Sequence, residues 1–553
     1  MKKNNSVYND ISEIIERWKS ANPLEYHYLG IHDFDGEIPD YSKEGINKRI
    51  AELKEDIKLL TSMEKKYTDS KNKFEYNLVK LSLEKELFDL GDLCEFKDNP
   101  LEYIEALSYV EESFTMRSFA SVEQRIDIIL EFIKKIPTFI NYSNEWLEES
   151  LPKAKVVLSI QFLTGIINYY KNSLIEFIKQ TNDSSKIKKF TQLNAIAVKS
   201  MEEFLLKLQN TYLPKAHANF ALGKDKFLKL LKKQENIDIS FDKLLSIGEK
   251  DLERNFNAIN RIIESKGGVS YLYKLLEDTP TAKNLVPYAK STLDRTMNFL
   301  IEKDIVSMPT NEQCTVILTP ESQRKFAFAA MNTPGPFEVP EAAEAYYYVT
   351  PADPTWNEEQ TKNFLKQFNR ASFEMITVHE VWPGHYLQLV YDRKYNTSPV
   401  VKMFANSTSM VEGYAHYTEE MIYNEGYDPF QDRNKIHVGQ LLEALTRNVR
   451  YVVAIKMHCL GMTVEEAKQM FIEKAFLSEE NAEIEARRGT IDPMYLNYTL
   501  GKLLIMKLRD DFKKEQKDNY SLKTFHDKLL TLGSAPITLL RSIILTNPTT
   551  EII

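Results

Sequence analysis

The chain is poor in the residues that interrupt helices. Its 18 glycines and 21 prolines make up about 7% of 553 residues, against a usual ~12%. Turn-rich sandwiches, collagen-like repeats and low-complexity linkers are therefore excluded, and long helices are expected. Three cysteines, Cys94, Cys314 and Cys459, stand far apart with no CxxC pair; they offer no disulfide framework and suit a reducing compartment. No apolar run follows the N-terminal lysines, as a secretory leader requires. The most apolar long stretch, 154–170, contains Ser159, Gln161, Thr164 and Asn168, which is too polar for a membrane span. Positive charge is short as well: 71 Lys and Arg against 80 Asp and Glu leave a net charge of −9. Such a surface repels phosphate backbones. A cytoplasmic protein with no nucleic-acid and no membrane partner is expected.

What is present is helical text. Over 8–260 apolar residues recur at three- and four-residue steps, as in 46–67, 121–136 and 201–212, the period of amphipathic helices. The exception is 309–354, which holds seven of the 21 prolines. Between them lie β-prone runs at 314–318 (CTVIL) and 346–350 (YYYVT), read as short strands, edge strands among them. Helix resumes near Asn357. The expected layout is a helical N-terminal region, 1–300, and a region 301–553 with the short strands (309–354) and the chemistry, the two also compatible with one continuous fold.

Six of the nine histidines lie between 379 and 526. The sharpest string is ITVHEVWPGHYLQLV, with His379, Glu380 and His385. Zinc-protease strings usually place two histidines four apart, on one helix face. Here the second is six residues on, which on an unbroken helix turns it roughly 120° away. Pro383-Gly384 removes that difficulty, because Pro ends helical bonding and Gly tolerates unusual dihedrals. A helix interrupted between two metal ligands is predicted. A catalytic zinc site needs a third protein ligand and an open position. Glu412, 27 residues after His385 in SMVEGYAHYTEEM, is the choice, since a carboxylate on an apolar helical face needs a partner. Its competitors Glu419 and Glu420 read as a solvated helix end. Glu380, beside one ligand, is assigned as the general base that takes a proton from water and passes it to the leaving amine. Further on, Arg447, Arg450 and His458 stripe one helix and suit either a substrate carboxylate and oxyanion or an internal ion-pair network. Tyr498 is a candidate oxyanion donor. His27, His32, His217, His437 and His526 carry no motif and read as structural.

These strings resemble a sequence family, the bacterial and archaeal proteins called domain of unknown function 885. HEVWPGHYLQ (379–388) is similar to its HEAxPGHHLQ, departing at Val381 and Tyr386. EGYAHY (412–417) resembles an EGWALY-like string, with His416 in place of leucine. RYVVAIKMH (450–458) keeps Arg450 and His458 but has Ala454 where an acid is usual, and NYTLG (497–501) keeps Tyr498 and Gly501. YLGIHDFDGEIPDYS (28–42) and GSAPITLL (533–540) are similar to the family's opening and closing strings. The resemblance implies a mostly α, multi-helical zincin-like metallopeptidase architecture with a small β-sheet beside the metal-binding helix, an edge strand of which holds an extended peptide. It also leaves His416 as a variant partner of the site, and makes the loss of the acid at Ala454 a question for that helix.

The expected function is a zinc-dependent metallohydrolase, a peptidase acting on peptides or peptide-like small molecules. One Zn2+ is held by His379, His385 and Glu412; Glu380, Tyr498, His458 and Arg450 act on substrate. The alternatives are hydrolysis of a non-peptide amide or modified amino acid, and a non-catalytic helical protein with a structural metal.

Overall fold

Small polar residues fix where the long helices begin. Ser42, Asp69, Asp183, Ser240, Asn369, Ser407 and Asp432 each cap a helix by accepting a backbone N–H of the first turn. Ser121 with Gln124 and Thr463 with Glu466 form reciprocal capping boxes. Each such cap satisfies donors that the helix itself leaves open. The computed structural model describes residues 7–309, 314–320, 324, 328–340, 344–396, 398–549 and 551–553. The result is mostly helical with one small sheet. Among the described residues, no helix is long and apolar enough to cross a membrane.

The chain forms two compact units. The first comprises 1–220 with 334–344. Its core is Ile- and Phe-rich, built from helices Val122–Asn141, Lys153–Lys171 and Ser184–Lys207, whose apolar stripes supply Ile129, Phe132, Ile136, Leu163, Tyr170 and Phe204. The second comprises 221–333 with 345–553. The helices from 221 to 303, grouped by sequence with the N-terminal region, pack in this second unit.

The second unit carries α1 (Phe241–Ser265), α2 (Leu285–Lys303), strands β1 (Thr315–Leu318), β2 (Ala329–Asn332) and β3 (Tyr346–Val349), then α3 (Arg370–Glu380), α4 (His385–Lys394), α5 (Thr408–Asn424), α6 (Arg433–Leu460), α7 (Asn497–Gln516) and α8 (Leu522–Leu530). The sheet order is β1-β3-β2, with β3 parallel to β1 and antiparallel to β2. The strands expected at 314–318 and 346–350 are present as β1 and β3. The second is central, not an edge: Tyr347, Tyr348 and Val349 are buried, as a strand with a neighbour on each side requires. The outer strand β2 lies against α3. The hydroxyls of Tyr347 on β3 and Thr377 on α3 are 3.2 Å apart, so the sheet is tied to the helix two residues before His379.

Candidate metal centre

α3 ends at Glu380 because the chain cannot stay helical through Trp382-Pro383-Gly384. Val381 leaves helical dihedrals (φ −122°, ψ −78°) while its N–H still bonds to Thr377. Gly384 turns the chain back, its N–H donating to the Val378 carbonyl. A Cβ on Gly384 would stand 1.7 Å from the carbonyl oxygen of His379, so only glycine fits. A new helix then starts at His385. The break aims both imidazoles at one point: their ring centroids are 4.7 Å apart and the rings nearly perpendicular, at 85°.

Glu412 arrives from α5 through a close helix crossing. A Cβ on Gly413 would meet the Cα of Gly501 on α7 at 2.4 Å, and one on Gly501 would meet the Ser409 carbonyl at 1.9 Å. The two glycines let the backbones touch. Glu412 precedes one and Tyr498 lies a turn before the other, so the crossing brings both to the same place. The ring of Tyr498 stacks near that of His379, at 6.4 Å and 16°.

The Nε2 atoms of His379 and His385 lie 3.3 and 3.4 Å from the same oxygen, Oε2 of Glu412. All three potential ligand atoms fall within 4.8 Å of one another. Glu412 Oε2 and His385 Nδ1 are buried without a hydrogen-bond partner among the described residues. Burial drives the Glu412 carboxyl up, but the two imidazoles hold it well below the ordinary carboxylate range. For His379, burial and Arg447 push its pKa down, and the neighbouring carboxylates of Glu412 and Glu419 outweigh them, raising it to about 9. Three donors thus converge on a point that favours positive charge. Two imidazoles and a carboxylate are a donor set that fits a zinc ion with a position left open.

Around the three, one residue dismissed in the sequence is central. Glu419 is buried, and its Oε1 accepts from His379 Nδ1 at 2.7 Å. This fixes Nε2 as the nitrogen that faces Glu412. Burial raises the Glu419 carboxyl, but Arg447, His416 and the His379 bond lower it far more. Arg447 pairs with Glu419 at 3.2 Å and with Glu443 at 3.1 Å, which resolves its open assignment in favour of an internal network. His416 Nδ1 lies 3.4 Å from the other Glu419 oxygen. Glu420 is likewise no solvated end: Arg254 grips it with two 2.8 Å bonds and Lys502 reaches it at 3.2 Å. A signal was available, since residues seven apart share a helix face and Glu412 and Glu419 are seven apart.

Of the expected substrate residues, Tyr498 stands at the site, half-buried, with Arg488 donating to its hydroxyl at 3.4 Å. Burial and the Glu412 charge raise its pKa, keeping the phenol protonated. Arg450 sits 5.1 Å from the Tyr498 ring, but its guanidinium is held by Glu485 through bonds of 2.7 and 2.6 Å. His458, buried, places Nε2 2.8 Å from the Gly489 carbonyl and packs on Phe227. Glu380 is half-buried at the C-terminal end of α3, and its charge reaches Tyr347. Ala454 lies fully buried within α6, where an acid would need a partner.

Fold and site define a mostly helical protein with a His–His–Glu cluster at a broken helix. The family described as "Bacterial protein of unknown function (DUF885)" matches residues 23–544, and the chain belongs to it. No curated protein matches the sequence. Two solved structures share the fold over nearly their whole length. One, from Shewanella oneidensis, is described as a candidate lipoprotein of unknown function; it is 23% identical with a TM-score of 0.80, over 97% of this chain and 98% of the other. The second, a candidate lipoprotein from Colwellia psychrerythraea, is 16% identical with a TM-score of 0.79, over 97% of each chain.

Proposed function

We propose that the protein is a zinc-dependent metallohydrolase that cleaves peptides, with the zincin-like plan of a metal helix beside a small sheet. The observation that carries this reading is the convergence of His379 and His385 on one oxygen of Glu412, with Glu380 next in the chain to the first ligand. Three protein ligands, with no fourth among the described residues, suit a catalytic ion better than a structural one. When bound, zinc supplies Lewis acidity, polarising a carbonyl and bringing the pKa of a water toward 7.

The remaining work falls to the chain. Glu380 accepts a proton from the attacking water and returns it to the leaving amine. Tyr498, kept protonated, donates its O–H to the carbonyl oxygen as negative charge gathers there. Arg450, gripped by Glu485, braces the Tyr498 ring and is a positioning residue in this scheme; His458 supports the packing around Gly489. In this scheme an extended substrate adds to the sheet at its outer strand β2, which lies against α3. Adding a strand supplies main-chain hydrogen bonds without demanding a particular side chain.

The test is a mass-spectrometric digest of a mixed peptide library by the purified chain, with and without chelator. Chelator-sensitive cleavage is expected. Glu380→Gln should retain zinc and lose turnover by about 10²–10⁴-fold; a zinc-loaded variant with full activity would sink the base assignment. Intact peptides alongside cleaved N-acyl amino acids would shift the substrate class to non-peptide amides. As for location, the lipoprotein descriptions of the two structural relatives favour the cell envelope over the cytoplasm, and fractionation of cells producing the native gene product decides it.

A further inference from the structure

The first unit holds a second convergence of ligand-type side chains, distant in sequence from HEVWPGH. After the short helix Pro23–Tyr28 the chain turns at Gly30 (φ +83°), and His27, His32 and Asp35 fold onto one another. His27 Nδ1 lies 2.5 Å from Asp35 Oδ1, and His32 Nδ1 lies 3.0 Å from Asp35 Oδ2. The three potential ligand atoms are all within 4.8 Å of one another. The rings meet edge to face, at 5.0 Å and 73°, much as His379 and His385 do. The far nitrogens are also engaged: His27 Nε2 bonds to Ser113 Oγ, and His32 Nε2 to Glu338 Oε1 at 3.1 Å. Glu338 is delivered by 334–338, where the Phe337 N–H bonds to the Leu29 carbonyl and a Cβ on Gly30 would meet Glu338 N at 2.4 Å.

With both rings neutral the protons do not balance. If His32 donates its Nε2–H to Glu338, a neutral ring points the Nδ1 lone pair at a carboxylate oxygen. Two like lone pairs at 3.0 Å repel unless a proton or a metal lies between them. The side chains of Asp35 and Glu338 are only 5% and 3% exposed, and two buried negative charges are costly when uncompensated. A divalent ion cancels both; an extra proton on His32 cancels one. Metal-ligating imidazoles characteristically give their other N–H to a carboxylate or another acceptor, which is the arrangement of both rings.

We propose that His27, His32 and Asp35 form a second divalent-metal site, fit for zinc or a similar transition ion, with Glu338 and Ser113 orienting the two imidazoles. The His32 side chain, 23% exposed, gives the ion an entrance. Such an ion would fasten segment 334–338 to the turn at 28–35 through Glu338.

Zinc content of the full chain after dialysis against zinc separates the two sites. Two equivalents are expected in the unaltered protein, one in His379→Ala/His385→Ala, and none once Asp35→Asn is added. A single equivalent that disappears in His379→Ala/His385→Ala overturns this second site and leaves the first intact. A single equivalent lost on Asp35→Asn alone supports the second and counts against the first. Should Asp35→Asn fail to fold, His32→Gln, at the partly exposed edge, carries the same test. In the His379→Ala/His385→Ala chain, zinc should raise the melting temperature and chelator should reverse the rise, because a ligand of the native state stabilises it. An unmoved melting temperature would mean that His32 is an imidazolium clamped between two carboxylates, and the proposal would fall.

Discussion

His379 has a carboxylate at each ring nitrogen, Glu412 toward Nε2 and Glu419 toward Nδ1, so its two sides answer to different positions of α5. Removing the charge at Glu419 leaves an amide that can still accept the N–H but no longer balances Arg447. Glu419→Gln is therefore expected to weaken zinc binding by about 10–100-fold, measured by competition with a coloured chelator. Unchanged affinity would make Glu419 a partner of Arg447 alone. Tyr498 gives the opposite pattern. Tyr498→Phe keeps the ring against His379 and deletes only the donor, so turnover should drop about 10²-fold with zinc affinity intact. At this scale the convergence of His379, His385 and Glu412 was legible in the sequence, because HExxPGH and EG fix both residue type and spacing. Arg450 was not: its helix stripe is real, but only the fold shows that Glu485 already holds it.

At the scale of elements, the site depends on two places where backbone must approach backbone. One is the α3–α4 break at Gly384; the other is the α5–α7 crossing at Gly413 and Gly501. Gly413→Ala puts a methyl 2.4 Å from Gly501 Cα, and forcing the helices apart costs roughly 1–3 kcal/mol. It should also move Tyr498 from Glu412, so melting temperature and turnover should fall together. Gly165, inside helix Lys153–Lys171, is the control: its Cβ would meet nothing within 4 Å, and Gly165→Ala should stabilise by about 0.5–1 kcal/mol. Chemical denaturation of the two variants reads both signs. Element ends and the Pro-Gly break could be read from caps and punctuation. The sheet order could not. β2 is Ala-Ala-Met-Asn, with no β-branched or aromatic residue to announce a strand. Nothing in the period of YYYVT tells a central strand from an edge; that depends on partners far away in the chain.

At the scale of the whole molecule, stability should depend on pH through histidines held neutral by burial. His526 on α8 is 1% exposed. Its Nδ1–H donates to the Ile305 carbonyl at 2.9 Å and its Nε2 accepts from the Tyr417 hydroxyl at 3.0 Å. Both nitrogens are satisfied in the neutral ring, and burial pushes its pKa down to about 4. His416, fully buried, is pushed to about 4 by the same cause. In the unfolded chain both titrate near the ordinary value of about 6.5. Below that pH the unfolded state binds more protons than the folded one, so stability falls as pH drops. The contribution is fully present above about pH 6.5 and is lost progressively toward pH 4. A shift of this size amounts to about 3 kcal/mol at most for each ring. Melting temperature recorded from pH 8 to pH 4 should stay level down to about 6.5 and then descend. His526→Gln can keep a donor toward Ile305 and an acceptor toward Tyr417 without taking up a proton, so its acid limb should be shallower than that of the unaltered chain. Parallel acid limbs for the two would show that His526 already titrates normally in the fold, and that the acid sensitivity belongs to carboxylates such as Glu419 and Glu420, whose ion pairs hold them low.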